Sequence, residues 1–245
     1  MGLQLSRNMN QADPIIIIGL GGLGGGVVDS LKGKIKNDYD NLEQVEIRIV
    51  DMTSHVKKDH ISNDEIIILD SRGTDCNRSM GQHIFRNKDT YNGIRNDFKV
   101  IIEKMISMVG EHHINILIAS GIVGGTGGGI FVDFTYMIHD LFKELDHKNY
   151  SISAYMFDAE SLDDENIKNK QMKTNGLEAL YELQHYMNLT TKEHLYHAKI
   201  GEREIRSKKN LFEQYKHISF CLGDDDKLDD LKKRMSTLMI EEFLY

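Results

Sequence analysis

The chain has 245 residues, 40% of them hydrophobic, enough to fill the core of one large α/β domain or two small ones. Thirty Lys and Arg against 38 Asp and Glu leave a net charge of −8, which argues against a nucleic-acid binder relying on its overall field. Cys76 and Cys221 are too few for a disulfide framework or a cysteine zinc site, and with no signal peptide at the start they fit a reducing cytoplasm.

Residues 1–13 are polar and read as a flexible tail. Pro14 leads into Ile15–Ile18, a β-branched run suited to a strand buried on both faces, and Val27, Val28, Leu31 and Ile35 then recur at helical spacing. Val45–Asp51 and Ile66–Asp70 read as two further short strands, and Thr90–Val109 as a long amphipathic helix stopped by Gly110. His112 and His113 are adjacent, a spacing that cannot put both on one helix face, so they read as a solvated turn and not as a metal pair. Ile114–Ser120 is a buried strand, Gly121–Gly129 a loop and Ile130–Leu145 a helix, repeating the pattern of the first unit. The uncharged stretch from Ile114 to Val132 is broken by six glycines and does not read as a membrane span, so no membrane partner is expected. Ser151–Phe157 is expected as a strand, Asn169–Asn188 as a helix, Lys199–Asn210 as a charged solvated face, His217–Leu222 as a last strand and Leu228–Tyr245 as a helix. Strands alternating with helices define the class as α/β, with a doubly wound, mostly parallel sheet and helices on both faces. Ligands bind such sheets at the carboxyl ends of the strands, where both glycine segments fall.

Glycine is the informative residue. Six glycines lie between Gly19 and Gly26 and six between Gly121 and Gly129, while the chain has one proline, so these are two built segments and not low complexity. Gly19, Gly21 and Gly24 satisfy G-x-G-x-x-G between a strand and a helix, and Asp51 closes the second strand where a dinucleotide-binding protein keeps its ribose acid. Alone, this first unit fits an NAD-dependent enzyme, and its opening also resembles the ubiquitin-activating, ThiF-like adenylyltransferases. In the second segment, glycines on either side of Thr126 let several backbone N–H groups turn inward as an anion nest at a helix start. No Lys follows these glycines, so this is not a Walker A loop.

Val123–Gly129 resembles the GGGTGSG signature of the tubulin and FtsZ superfamily, with Val123 for its first glycine and Gly128 for its serine. The opening IIIIGLGGLGGGVVDSL resembles FtsZ's strand, glycine loop and helix, and Asp70–Phe85 resembles its γ-phosphate-sensing loop, with Arg78 and Ser79 replacing a Pro and a Glu. Glu165–Met187 is similar to the helix after FtsZ's ribose loop and looks also like that of divergent bacterial tubulin-like proteins. The resemblance implies GTP or GDP, leaving room for Mg, with Gly21, Gly22 and Leu23 at the α and β phosphates and Gly124, Gly125, Thr126, Gly127 and Gly128 around the β and γ phosphates. Asn77 falls in the sensing loop, Glu165 matches a ribose-contacting acid, and Gly26 and Asp225 stand where FtsZ has Asn. The family pattern divides the chain into a nucleotide-binding domain over 14–226 and, over 227–245, the start of a central helix that leads to or packs on a second domain. It implies self-association, or assembly with a related subunit, into a filament or complex. The acids that position water come in this family from a loop after the central helix of the next subunit, so hydrolysis is expected to need a longer chain or a partner. A regulatory module on the same fold that hydrolyses nothing is the alternative within this class.

Overall fold

The computed structural model of the chain describes residues 14–38, 44–52, 58–70, 72–161, 167–189, 195–222 and 228–243. In chain order its first half comprises β1 (Ile15–Leu20), α1 (Gly21–Asp38), β2 (Val45–Asp51), β3 (Ile66–Ile68), α2 (Arg78–Arg86), α3 (Lys88–Val109) and β4 (Ile114–Gly121). The second half comprises α4 (Thr126–Glu144), β5 (Tyr150–Ser161), α5 (Ile167–Tyr186), β6 (Tyr196–Ile200), β7 (Arg203–Ser207), β8 (Gln214–Leu222) and α6 (Leu228–Phe243). Six strands form one sheet in the order β3-β2-β1-β4-β5-β8, and every neighbouring pair is parallel. β1 is central because its isoleucines suit burial on both sides: Ile16, Ile18 and Leu20 enter one core cluster, Ile15 and Ile17 the other.

Helices cover both faces, as the alternation of elements implied. α1 and α6 lie on one face, with Val27, Val28, Leu31 and Ile35 meeting Leu231, Met235 and Met239. The apolar stripe of the last helix is thus partly covered within the chain, while Leu228 and Leu238 stay exposed. α2 to α5 and the β6–β7 hairpin cover the other face around Phe85, Phe98, Phe134 and Phe142. No helix among the described residues is long and apolar enough to cross a membrane.

Four segments differ from the sequence reading. Both glycine segments run straight into helices, since α1 begins at Gly21 and α4 at Thr126, so glycines expected in loops form first turns. Arg78–Arg86, within the stretch compared with a phosphate-sensing loop, is a helix capped by Asn77, whose side chain accepts from the Met80 N–H at 2.9 Å. The charged Lys199–Asn210 segment is largely an antiparallel hairpin, turned at Gly201 with φ 56° and anchored by buried Tyr196, Ile200 and Ile205. His112 is exposed in a turn, as expected, and His113 Nε2 lies 3.0 Å from Ser151 Oγ.

Two buried polar groups bind the layers. Asp133 of α4 receives Arg86 Nε at 2.5 Å and the Tyr196 hydroxyl at 2.6 Å, joining α2, α4 and the hairpin. His139 donates from Nε2 to the Leu211 carbonyl at 3.1 Å and accepts at Nδ1 from the Tyr150 hydroxyl at 2.8 Å, and burial pushes its pKa down to about 4. A depressed histidine pKa means that the unfolded chain binds the proton first, so this contribution is complete above the unfolded value near 6.5 and is lost as pH falls toward 4. Urea unfolding is expected to show about 2 kcal/mol of stability lost from this site between pH 7 and pH 5, and His139→Gln to flatten the slope by that amount. An unchanged slope in the variant would remove His139 from the acid sensitivity.

Candidate functional site

The parallel register of β1 and β4, from Ile15 opposite Asn115 to Leu20 opposite Ser120, ends both strands side by side. α1 and α4 therefore start next to each other at the carboxyl edge of the sheet. Gly21 has φ +70°, and a Cβ there would lie 2.8 Å from Gly127 N and 3.3 Å from Thr126 Cβ, so the two glycine segments touch. The N-cap of α4 is Gly125, which supplies no side-chain hydrogen bond, and neither α1 nor α4 carries an acid in its first turn. By contrast, α3 has Asp89 and α6 has Asp229 and Asp230 there. The first N–H groups of a helix have no partner within it and carry its positive pole, so two such starts side by side, unblanketed by carboxylates, favour an anion.

The glycines divide by what surrounds them. A Cβ on Gly128 would stand 2.2 Å from the Ile122 carbonyl oxygen, and one on Gly127 2.7 Å from that of Gly121, so these two allow α4 to press on the strand end. A Cβ on Gly125 would come 2.3 Å from Thr74 Oγ1 and 2.8 Å from Asn77 N, which places the third loop, residues 74–77, against the second glycine segment. Gly22 and Gly124 are different: the nearest atoms to their Cβ positions are Asp51 Oδ2 and the Gly121 carbonyl oxygen, each at 3.9 Å. These two positions face room.

The sequence-selected residues fall as follows. Gly21, Gly22, Leu23, Asn77 and Gly124–Gly128 converge on this edge, with Leu23 packed under Gly121. Asn77 uses its side chain to cap α2, and its N–H donates to the Thr74 carbonyl at 2.8 Å. Gly26 sits farther along α1 beneath α6, and a Cβ there would meet Lys232 Cδ and Cε at 2.7 Å. Glu165 and Asp225 lie outside the described residues.

Asp51, which the sequence offered as a ribose acid, lies at this edge, together with three residues that sequence reasoning did not place there, Lys58, Arg78 and Asn175. Asp51, at the end of β2, is buried beside Gly22; burial raises its pKa, while the Met52 N–H, Lys58 and the Thr126 hydroxyl favour its charged form. The Lys58 ammonium is buried between Asp51 and Asp29 without a hydrogen-bond partner among the described residues, and burial holds its pKa below the usual lysine value. Arg78 donates from Nε to the Gly128 carbonyl at 2.8 Å and pairs with Glu182 at 2.5 Å, tying the second glycine segment to α5. Asn175 donates to the Cys76 carbonyl at 2.6 Å and the Val123 carbonyl at 2.9 Å, holding the third loop, where Asp75 and Cys76 have φ of 43° and 62°, against the second. The partners of Arg78 and Asn175 lie roughly fifty to a hundred positions away along the chain, so no local motif could reveal them. Among the described residues no group of three His, Cys, Asp or Glu could hold a metal ion.

A doubly wound parallel sheet with two glycine-lined helix starts at its switch point defines a class of α/β domain, one in which ligands are generally taken at the carboxyl ends of the strands. The family model described as tubulin-like matches residues 58–215, well over half of the chain, and the chain belongs to that family. Its fold is similar to that of Bacillus thuringiensis serovar israelensis TubZ in GDP-form protofilaments, with TM-score 0.62 and 14% identity over 95% of this chain and 56% of that one. The GTPγS-form protofilament of the same protein gives TM-score 0.61 and 14% identity over 97% and 57%, and CetZ from Methanosaeta thermophila gives 0.55 and 16% over 94% and 53%. The chain thus spans little more than half the length of these structures. No curated protein sequence matches it.

Proposed function

We propose that these residues form the nucleotide-binding part of a GTP-binding, tubulin-like protein of the cytoplasm whose nucleotide state controls head-to-tail self-assembly. The observation that carries this reading is the pair of adjacent helix starts, free of acids, with room left at Gly22 and Gly124. On this reading the backbone N–H groups of Gly21, Gly22 and Leu23 hold the α and β phosphates, and those of Gly124–Gly128 the β and γ phosphates. Asn77 stations the third loop beside them, Glu165 takes the ribose, and Asp225 accepts from the guanine N–H groups. Lys58 adds positive charge near the first segment, and Asp51 is the acid at hand should Mg accompany the nucleotide. Residues 14–226 form the nucleotide domain on this reading, and α6 leads to or packs on a second domain.

Bound GTP would supply a γ-phosphate whose presence or loss distinguishes two states. Arg78 and Asn175 give this chain a route from that position to α5 through the Gly128, Cys76 and Val123 carbonyls. The TubZ structures are of protofilaments in GTPγS and GDP forms, which supports assembly as the output. A head-to-tail contact that does not close generates a filament, with a related subunit able to stand in for a second copy.

Phosphoryl transfer needs a positioned water, and the residues assigned here cradle an anion without orienting one. These 245 residues are therefore expected to release phosphate from GTP very slowly, with a rate that rises more steeply than linearly with protein concentration because the neighbour completes the site. Phosphate release over a dilution series checks this. Fast release strictly proportional to concentration would mean a site complete in one chain.

One observation favours a second reading. Asp51 ends β2 beside Gly22, the place where dinucleotide-binding sheets of this strand order keep a ribose-binding acid, which would suit NAD. Its engagement with the Met52 N–H at 2.7 Å and with Thr126 weighs against a carboxylate free for ribose.

A further inference from the structure

At the other end of α4, about 25 Å along the helix from Thr126 at its ordinary rise, the chain encloses a second concavity that the reading above leaves unused. It has a volume of about 300 Å³ and lies between the last turns of α4, the first residue of β5 and the segment leaving β7. Its floor is aromatic: the Phe142 and Tyr150 rings stack with centroids 4.1 Å apart at 11°. Lys209 closes one side, its ammonium 4.3 Å from the Tyr150 ring centroid and 2.8 Å from the Tyr150 hydroxyl. The hydroxyl accepts from Lys209 and donates to His139 Nδ1 at 2.8 Å, and His139 donates from Nε2 to the Leu211 carbonyl. This chain of donors fixes one tautomer and one direction, and its outward end is the lysine.

Charge points the same way. Lys143 and Lys208 also line the concavity, and neither has an acidic partner among the described residues. Lys209 contacts the Tyr150 hydroxyl, and partial desolvation holds its pKa below the usual lysine value against the opposing pull of the Glu213 carboxylate. The lining carries five basic side chains, Lys143, Lys148, Arg206, Lys208 and Lys209, against two acids, Asp140, which pairs with Arg95 and Arg203, and Asp146, which pairs with Lys148. Such an excess of positive charge is unexpected in a chain of net charge −8 unless it answers an anion. Lys143 also offsets the negative carbonyl pole of α4, which would otherwise repel one. The volume is at the small end for ligand pockets and suits one or two rings bearing a single acidic group.

We propose that this concavity binds a small planar aromatic or heterocyclic anion, its ring against Tyr150 and its phosphate or carboxylate among Lys143, Lys208 and Lys209. The site is separate from the glycine edge and does not depend on what binds there.

Pyridoxal 5′-phosphate is a probe of the required shape and charge that also reports which lysine it meets. The neutral Lys209 amine adds to its aldehyde carbon, water leaves to give the imine, and added borohydride transfers hydride to the imine carbon, fixing a secondary amine that peptide mass spectrometry locates. The expected result is one dominant adduct at Lys209, at least about tenfold above any other lysine, unchanged by saturating GTP. Pyridoxal, which lacks the phosphate, should label Lys209 about tenfold less at equal concentration, and so should pyridoxal 5′-phosphate on the Lys143→Gln, Lys208→Gln double variant, which leaves the labelled residue in place. Circular dichroism of that variant confirms its fold, since both substitutions are at exposed positions. Adducts spread over lysines in proportion to exposure, equal labelling by pyridoxal, an indifferent double variant or displacement by GTP would each overturn the proposal.

Discussion

Gly124→Asp is expected to lower the affinity of the chain for GTP by at least about a hundredfold, the equivalent of roughly 2.7 kcal/mol, without weakening the fold. The position is chosen because a side chain fits: its Cβ would have only the Gly121 carbonyl oxygen within 4 Å, at 3.9 Å. A carboxylate there stands one residue before the Gly125 N-cap of α4, where it can accept from the same N–H groups that the phosphates are proposed to use. The substitution should therefore hold or raise the thermal midpoint while it repels and displaces the nucleotide. Gly124→Ser, which adds a neutral acceptor of similar size, should retain most of the affinity. An Asp variant binding GTP as the parent does would show that no phosphate lies at the start of α4.

The opposite outcome is expected at Gly24, in the first glycine segment. A Cβ there would lie 2.2 Å from the Ala119 carbonyl oxygen and 2.9 Å from its carbon, both main-chain atoms of β4. β4 is hydrogen-bonded on both sides, to β1 and β5, and has nowhere to move. Overpacking a core by a methylene or two costs about 1–3 kcal/mol, and Gly24→Val adds a branched side chain against backbone, so the loss should reach roughly 5 kcal/mol or more, comparable to the whole stability of many domains. Urea unfolding and soluble yield are the measurements, with Gly22→Ala, whose Cβ would meet only Asp51 Oδ2 at 3.9 Å, expected to change stability by less than about 1 kcal/mol. A Gly24→Val protein as stable as the parent would mean that α1 does not press on β4 as described.

These two glycines show where the sequence is legible and where it stops. β1 and β4 could be read directly because parallel strands buried on both faces need unbroken apolar runs, and IIII and INILIAS are such runs. The starts of α1 and α4 could not, because glycine is a poor helix former and the contacts that demand it are tertiary: Gly24 against Ala119, about a hundred residues away, and Gly127 and Gly128 against the Gly121 and Ile122 carbonyls. α2 is nine residues long, follows two residues with positive φ, and lies in a stretch that the sequence placed only through its resemblance to a family loop. The hairpin alternates as a strand should, through Tyr196, Ala198 and Ile200, but the charges between them read as a solvated face. In the candidate site, the two glycine segments could be picked out from the sequence and the structure brings them together, whereas Lys58, Arg78 and Asn175 reach that edge through tertiary contacts only.

The central claim is that the paired glycine segments form a guanine nucleotide site. The most direct measurement is isothermal titration of the purified chain with GTP, GDP, ATP and NAD under one set of conditions. The account predicts that GTP and GDP bind more tightly than ATP and NAD, and that Gly124→Asp abolishes the difference by removing the binding. Tighter binding of ATP or NAD would contradict it.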